Sequence, residues 1–339
     1  RQRQMCIRDS VGEGARLEGF TLTNGHTRAW DPTWSEPRGA GVLCGVSAVV
    51  SNCIVTGNAS DFFGGGTCDG RIQSCVIYSN RAEYLGGGVC AGYVEDCLVY
   101  ANASGQMGGG IGQGTVTASR VLGNWAPAGG GMFNLTARRS MVIGNSANGG
   151  GGTYDSFVEG CLLYGNSATD RGGGAFRGAL VSCTVASNVA AHSGGGVYES
   201  DFTNSVVYFN FAPHSSSNHI GFAVASCTVP QYYPGGGIED NPQFVDLSAT
   251  NLRLRSTSPC IDAGIHLPWM AGATDFDGLP RIINGTVDMG AYESPSPAIT
   301  SITTPPEGTV VTWASFTGAQ YAVYGSTNLA DGFDILLQD

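Results

Sequence analysis

At 339 residues, with 27 acidic side chains against 16 basic ones, the chain carries a formal charge of −11. That balance argues against nucleic acid or an anionic membrane as a main partner, and no apolar run approaches the roughly 18 residues of a membrane-spanning helix. Glycine supplies 53 residues, yet 42% of the chain is apolar, so this is not a disordered glycine-rich linker. All the basic residues are arginine, and the acidic balance suits an extracellular protein.

In chain order, Met5-Cys6-Ile7-Arg8-Asp9-Ser10 resembles a translated sequencing adapter, and residues 1–10 are set aside as an expected artefact. Gly19-Phe20-Thr21-Leu22-Thr23-Asn24 is the first copy of a repeated phrase, and an insertion carrying Trp30 and Trp34 follows. From there the phrase recurs with an asparagine at 58, 80, 102, 124, 145, 166, 188 and 210, and a glycine run follows nearly every copy. Steps of 21 or 22 residues at a fixed phrase mark a solenoid. Helices are excluded by the triple glycines and the β-branched residues.

Within each copy the side chains alternate as in a strand. One column reads Cys53, Cys75, Cys97, Ser119, Ser140, Cys161, Cys183, Ser205, all small. Two residues on, the column reads Val55, Ile77, Val99, Val121, Val142, Leu163, Val185, Val207. Small beside branched columns predict a tightly stacked interior. After each glycine run a further column reads Cys68, Cys90, Gly112, Phe133, Tyr154, Phe176, Tyr198, whose rings are expected to stack. The asparagines are expected to bond one another in a ladder and to suit sharp corners. The predicted fold is all-β: a right-handed parallel β-helix over residues 11–238, of about ten rungs and roughly 45 Å length at ~4.8 Å per rung.

Gly172-Gly173-Gly174-Ala175 and Leu163-Tyr164-Gly165-Asn166-Ser167-Ala168 resemble the right-handed β-helix repeats of pectin-lyase-type proteins and of chlamydial polymorphic outer-membrane proteins. The resemblance covers residues 17 to about 237. It implies the fold but not one activity, because that group mixes lyases, hydrolases, epimerases and adhesins. Residues 239–294, with NPQFVD, LRLRSTSPCIDAG and TDFDGLPRIINGTVDMGAYE, resemble a choice-of-anchor module of secreted or surface-anchored bacterial proteins. That implies a cap on the coil and export to the cell surface. A Pro-rich linker is expected over 295–306, then a truncated β-sandwich-like module over 307–339.

Few residues promise chemistry. Lyases of the resembled type hold calcium with acidic residues and abstract a proton with Arg or Lys. Asp155, Arg177 and Glu199 share one column three residues after the glycine runs, and are the candidates for that role or, more simply, a solvated ion-pair ladder. Glycoside hydrolysis would need two carboxylates about 5–10 Å apart. Asp275 and Asp277 resemble a fragment of a calcium loop without its remaining ligands. Calcium is therefore the one cofactor considered, and no other is expected. Trp30 and Trp34, with Tyr78, Tyr100, Tyr164 and Tyr208 two residues before their asparagines, are candidate ligand-binding aromatics. Cys227 and Cys260 stand outside the regular columns and are a candidate disulfide. The expected role is a monomeric, secreted or surface β-helix acting as an adhesin or structural module in contact with glycans. The alternative is a polysaccharide lyase or hydrolase.

Overall fold

The structure, a computed structural model, describes residues 3–5, 9–27, 38–214, 218–230 and 236–295, and four strands farther on. Contacts divide the chain into one unit of Arg1–Ile282 with Thr286–Glu293, and a second of Ile283–Gly285 with Ser294–Asp339.

The first unit is a parallel β-helix. Its two long sheets hold eleven and twelve strands, each paired with the equivalent strand one turn away. Ile54–Thr56, Val76–Tyr78 and Leu98–Tyr100 stack in register, with Val55 opposite Ile77 and Ile77 opposite Val99. Eight turns, marked by Asn58 through Asn210, repeat regularly, slightly fewer than the ten expected. Among the described residues the single helical element is a short 3-10 turn, Pro268–Met270.

The branched column and the Cys/Ser column are both buried. Smallness is only half the reason for the second. Each sulfur or hydroxyl accepts from the backbone N–H of the preceding turn, as Ser119 Oγ does from Cys97 (3.1 Å) and Cys97 Sγ from Cys75 (3.4 Å). Cysteine and serine interchange there because both are small and both accept.

The asparagines form a buried ladder. Each Nδ2 donates to the Oδ1 of the next, at 2.9–3.1 Å along the regular turns, and the backbone N–H donates to that same oxygen. The second Nδ2 hydrogen goes to a core carbonyl, as from Asn102 to Ile77 (2.9 Å). The phrase at residues 19–24 is placed one residue differently from expectation. Leu22 pairs with Val55, so Gly25 rather than Asn24 stands at the ladder position, and its N–H caps Asn58 Oδ1 at 2.8 Å. At the far end Asn218, only eight residues after Asn210, accepts from it and closes on Val229 O.

The glycine triplet answers three separate demands. In Gly108-Gly109-Gly110 the first has φ of +60. A Cβ on the second would lie 2.3 Å from Trp125 O and 2.5 Å from Gly130 O of the next turn. One on the third would press the Asn124 amide at 3.0 Å.

Residues 239–293 do not simply continue the coil end as a cap. They fold back along its side. Phe244, Leu252, Leu254, Cys260, Met289, Ala291 and Tyr292 pack on Leu162, Ala186, Val206 and Cys227, outward residues of the eleven-stranded sheet. Polar anchors fix the docking: Asn204 bonds Ile265 through both amide atoms (2.7 and 2.8 Å), and Thr184 Oγ1 accepts from the Ala291 N–H (3.0 Å). Beneath them Arg281 and Glu293 are buried in contact at 3.2 Å, beside the buried side chains of Asp288 and Asp275.

Strands Arg3–Met5 and Asp9–Val11, which overlap the segment expected to be an artefact, pair with Phe20–Thr23 and Val42–Cys44. An open parallel edge accepts any extended segment. In the second unit, Ile299–Thr303 pairs antiparallel with Val310–Trp313, and Val323–Gly325 with Ile335–Gln338. Five residues of the expected Pro-rich linker are thus strand.

Candidate functional site

The glycine runs set up the most distinctive outer strip of the coil. After each of the last four regular runs the strand resumes with an inward residue, then an aromatic one, then a left-handed corner. The aromatic residues are Phe133, Tyr154, Phe176 and Tyr198, all half-buried. Their ring centroids follow at 5.6, 4.8 and 5.2 Å, the first pair stacked and the others edge to face. Their spacing is the rung spacing of the sheet, so the column forms wherever the register places an aromatic residue in consecutive turns.

The corner residues are Asn134, Asp155, Arg177 and Glu199, with φ of 48, 49, 58 and 49. Asn and Asp tolerate that conformation; Arg and Glu pay for it, on the order of 1 kcal/mol each. Asp155, Arg177 and Glu199 therefore do converge, on adjacent turns. Arg177 Nε donates to Glu199 Oε2 at 3.1 Å, and its Nη1 to Tyr154 Oη at 3.4 Å. The Arg177 guanidinium also covers the Phe176 ring at 5.2 Å. Its pKa is raised, first by the Glu199 hydrogen bond and then by Tyr154. On the opposite flank Arg171 lies over the Tyr198 ring at 5.1 Å, and Asp170 contacts both Arg171 (3.5 Å) and His192 (3.3 Å). His192 stacks on His214. The strip thus alternates ring, cation and carboxylate across its width, all reachable by solvent.

This arrangement suits binding better than proton abstraction. A basic catalyst must lose its proton, and the Glu199 carboxylate holds the Arg177 proton more firmly. Arg177 also stands between the two carboxylates of its column, where a cation would have to displace it.

The other candidates fare differently. Tyr78 and Tyr100 stack face to face at 4.9 Å and remain half-exposed. Tyr164 and Tyr208 belong to the docking face of residues 239–293: their hydroxyls donate to Leu247 O (3.0 Å) and Glu239 O (3.1 Å). Those two serve packing. Trp30 and Trp34 lie outside the described residues. Asp275 is buried and ties a turn together, Oδ1 accepting from the N–H groups of Asp277 (2.9 Å) and Leu279 (2.7 Å), Oδ2 from Glu293 (2.8 Å). Asp277 makes a bidentate pair with Arg253, both contacts 2.6 Å. Their oxygens are committed to protein partners. No group of three or more metal-type side chains occurs among the described residues.

Cys227 and Cys260 are buried in one cluster, with the Cys227 thiol donating to Asp240 O at 3.2 Å. Cys227 sits one residue past the small column, whose place Ser226 takes, so its side chain points outward to the docked segment.

The aromatic column was legible as a stack, but not as the exposed strip. The alternation of a strand gives two faces without saying which of them another segment will cover.

No protein-family model and no curated protein matches the chain. Among solved structures it is similar to that titled "Crystal structure of pectate lyase Pel9A", at 15% identity and a TM-score of 0.41, covering 84% of this chain and 87% of that one.

Proposed function

We propose that the protein is an extracellular or cell-surface β-helix that binds glycan along its aromatic strip, as an adhesive or structural module without catalytic activity. One observation carries the reading. Phe133, Tyr154, Phe176 and Tyr198 form a solvent-reachable column flanked by Arg171 and Arg177, while the one base of the neighbouring trio, Arg177, is already paired with Glu199. Half-exposed rings supply apolar faces for the C–H surface of a sugar, and the flanking arginines and carboxylates supply hydrogen bonds. A rigid coil holds these groups at a fixed repeat, which matches a polymer better than a small solute. The chain works as a monomer in this reading.

Affinity electrophoresis through gels containing neutral or acidic polysaccharides tests it. The wild-type protein should be retarded, and Phe176→Ala with Tyr198→Ala should weaken retardation roughly tenfold, as loss of one to two kcal/mol of ring contact implies. Unretarded migration on every polysaccharide would sink the proposal. Release of unsaturated uronides that disappears in Arg177→Ala would replace it with the lyase alternative, and the assay is run with and without calcium for that reason.

A further inference from the structure

A second cleft lies away from the aromatic strip, where residues 269–281 dock beside a corner of the coil. It encloses about 250 Å³ and is lined by Arg138, Arg139, Glu159, Gly160, Trp269 and Thr274, with Arg281 at its base. Its charge is unusual for a protein of net charge −11. Three guanidinium groups meet one carboxylate, and Glu159 is already paired with Arg138 at 3.0 Å. Arg281 is engaged from behind, by the Glu293 carboxyl at 3.2 Å and the Gly290 carbonyl at 3.1 Å. Arg139 is different. Its Nη1 donates to Thr274 Oγ1 at 3.0 Å, and it has no carboxylate partner among the described residues. Its backbone is left-handed, at φ of 44, in the corner column that continues to Gly160. The glycine on the next turn leaves room beside the guanidinium: a Cβ there would meet only Arg139 Cγ, at 3.7 Å. Trp269 forms part of the facing wall, half-buried on a short turn whose neighbour Met270 is buried.

A charge without a counter-charge, next to an aromatic wall and open volume, is a recognition site for an anion that also has an apolar face. We propose that this cleft binds a small ring compound bearing a carboxylate, with the carboxylate on Arg139 and the ring against Trp269. Either a uronic acid unit or an aromatic acid supplies that chemistry. The site is independent of the glycan strip, sharing no residue with it.

Isothermal titration of the full chain with glucuronate, benzoate, inorganic sulfate and glucose distinguishes the sources. Heat with glucuronate alone assigns a saccharide acid, and heat with benzoate alone an aromatic acid; binding of both assigns the shared chemistry. In each case glucose stays silent, and Arg139→Gln weakens binding roughly tenfold, the loss of one charge-assisted contact. Gly160→Asn fills the space while keeping every arginine, and asparagine tolerates the left-handed corner, so it blocks binding in a folded protein. Sulfate binding without either ring acid, silence of all four probes at about 10 mM, or titrations that both variants leave unchanged would each overturn the proposal.

Discussion

Asn124 shows how a buried amide becomes part of a fold rather than a site. Its oxygen accepts from both the side chain and the backbone of Asn102, while its nitrogen donates to Val99 O and Asn145 Oδ1. Asn124→Ala strands the buried Asn102 N–H, leaves Asn102 Nδ2 only the Ile77 and Tyr100 carbonyls, and removes two more bonds. At roughly 1–3 kcal/mol per orphaned group, a loss of about 3 kcal/mol or more is expected, seen as a lower urea midpoint at unchanged slope. A loss under about 1 kcal/mol would mean the ladder relaxes around the gap. Glu293 makes the second residue-scale case. Burial pushes its carboxyl up to about 9 against the pull of Arg281, with Asp288 adding to the rise. The folded state then keeps a proton that the unfolded chain releases near pH 4.3. Stability from this group is fully present below that pH and is lost as pH rises towards 9. Thermal melts from pH 5 to 9 should show that decline, and Glu293→Gln should flatten it.

At the scale of one turn, the sequence carried its own register almost everywhere, because side-chain alternation and a fixed 21- or 22-residue step leave one way to stack the columns. It misled at the first turn. Asn24 has φ of 58 and Gly57, its partner in the sheet, 65. Both residue types accept that corner, so Asn-Gly and Gly-Asn look alike until the strand pairing decides which one faces the ladder. Asn218 was hidden for the opposite reason, since its side chain reaches the ladder from a shortened turn. The glycines separate two costs that the sequence merges. Gly109→Ala drives a Cβ into two carbonyl oxygens of the next turn and should cost about 3 kcal/mol or more. Gly123→Ala, at φ of +57 with nothing within 4 Å, should cost only about 1 kcal/mol. Equal losses in denaturant titrations would contradict this division between collision and backbone strain.

For the molecule as a whole, the placement of residues 239–293 is the decisive event. The outward column one residue past the Cys/Ser positions reads Arg120, Met141, Leu162, Thr184, Val206, Cys227 along the later turns. Met141 is already partly covered, and from Leu162 onward the column is buried, with Thr184 as its polar anchor to the docked segment. Covering this face assigns Tyr164 and Tyr208 to packing and leaves the aromatic strip to solvent. It also brings Cys227 and Cys260 together. Both thiols lie in the same buried cluster, each perturbing the titration of the other. Incubation with glutathione disulfide should join the two sulfurs and release two equivalents of glutathione. The bond would close a loop of 33 residues and raise stability by about 3–4 kcal/mol. Peptide mapping under non-reducing conditions that recovers both as free thiols would refute the pairing.

Taken alone, the sequence determined the all-β coil, its inner columns, the asparagine ladder and the stacking of the later aromatic residues, because each depends on a local period that repetition makes unmistakable. Only the tertiary structure decided what those columns face. Asp155, Arg177 and Glu199 became one corner column with Arg177 paired to Glu199 through strand register, and Asp275 and Asp277 became turn and salt-bridge residues through their neighbours. Trp269 met Arg139 because a segment 130 residues away in sequence folded back on the coil. A repeat specifies the contacts of each turn with the next; it carries no information about which non-repeating segment will cover which face.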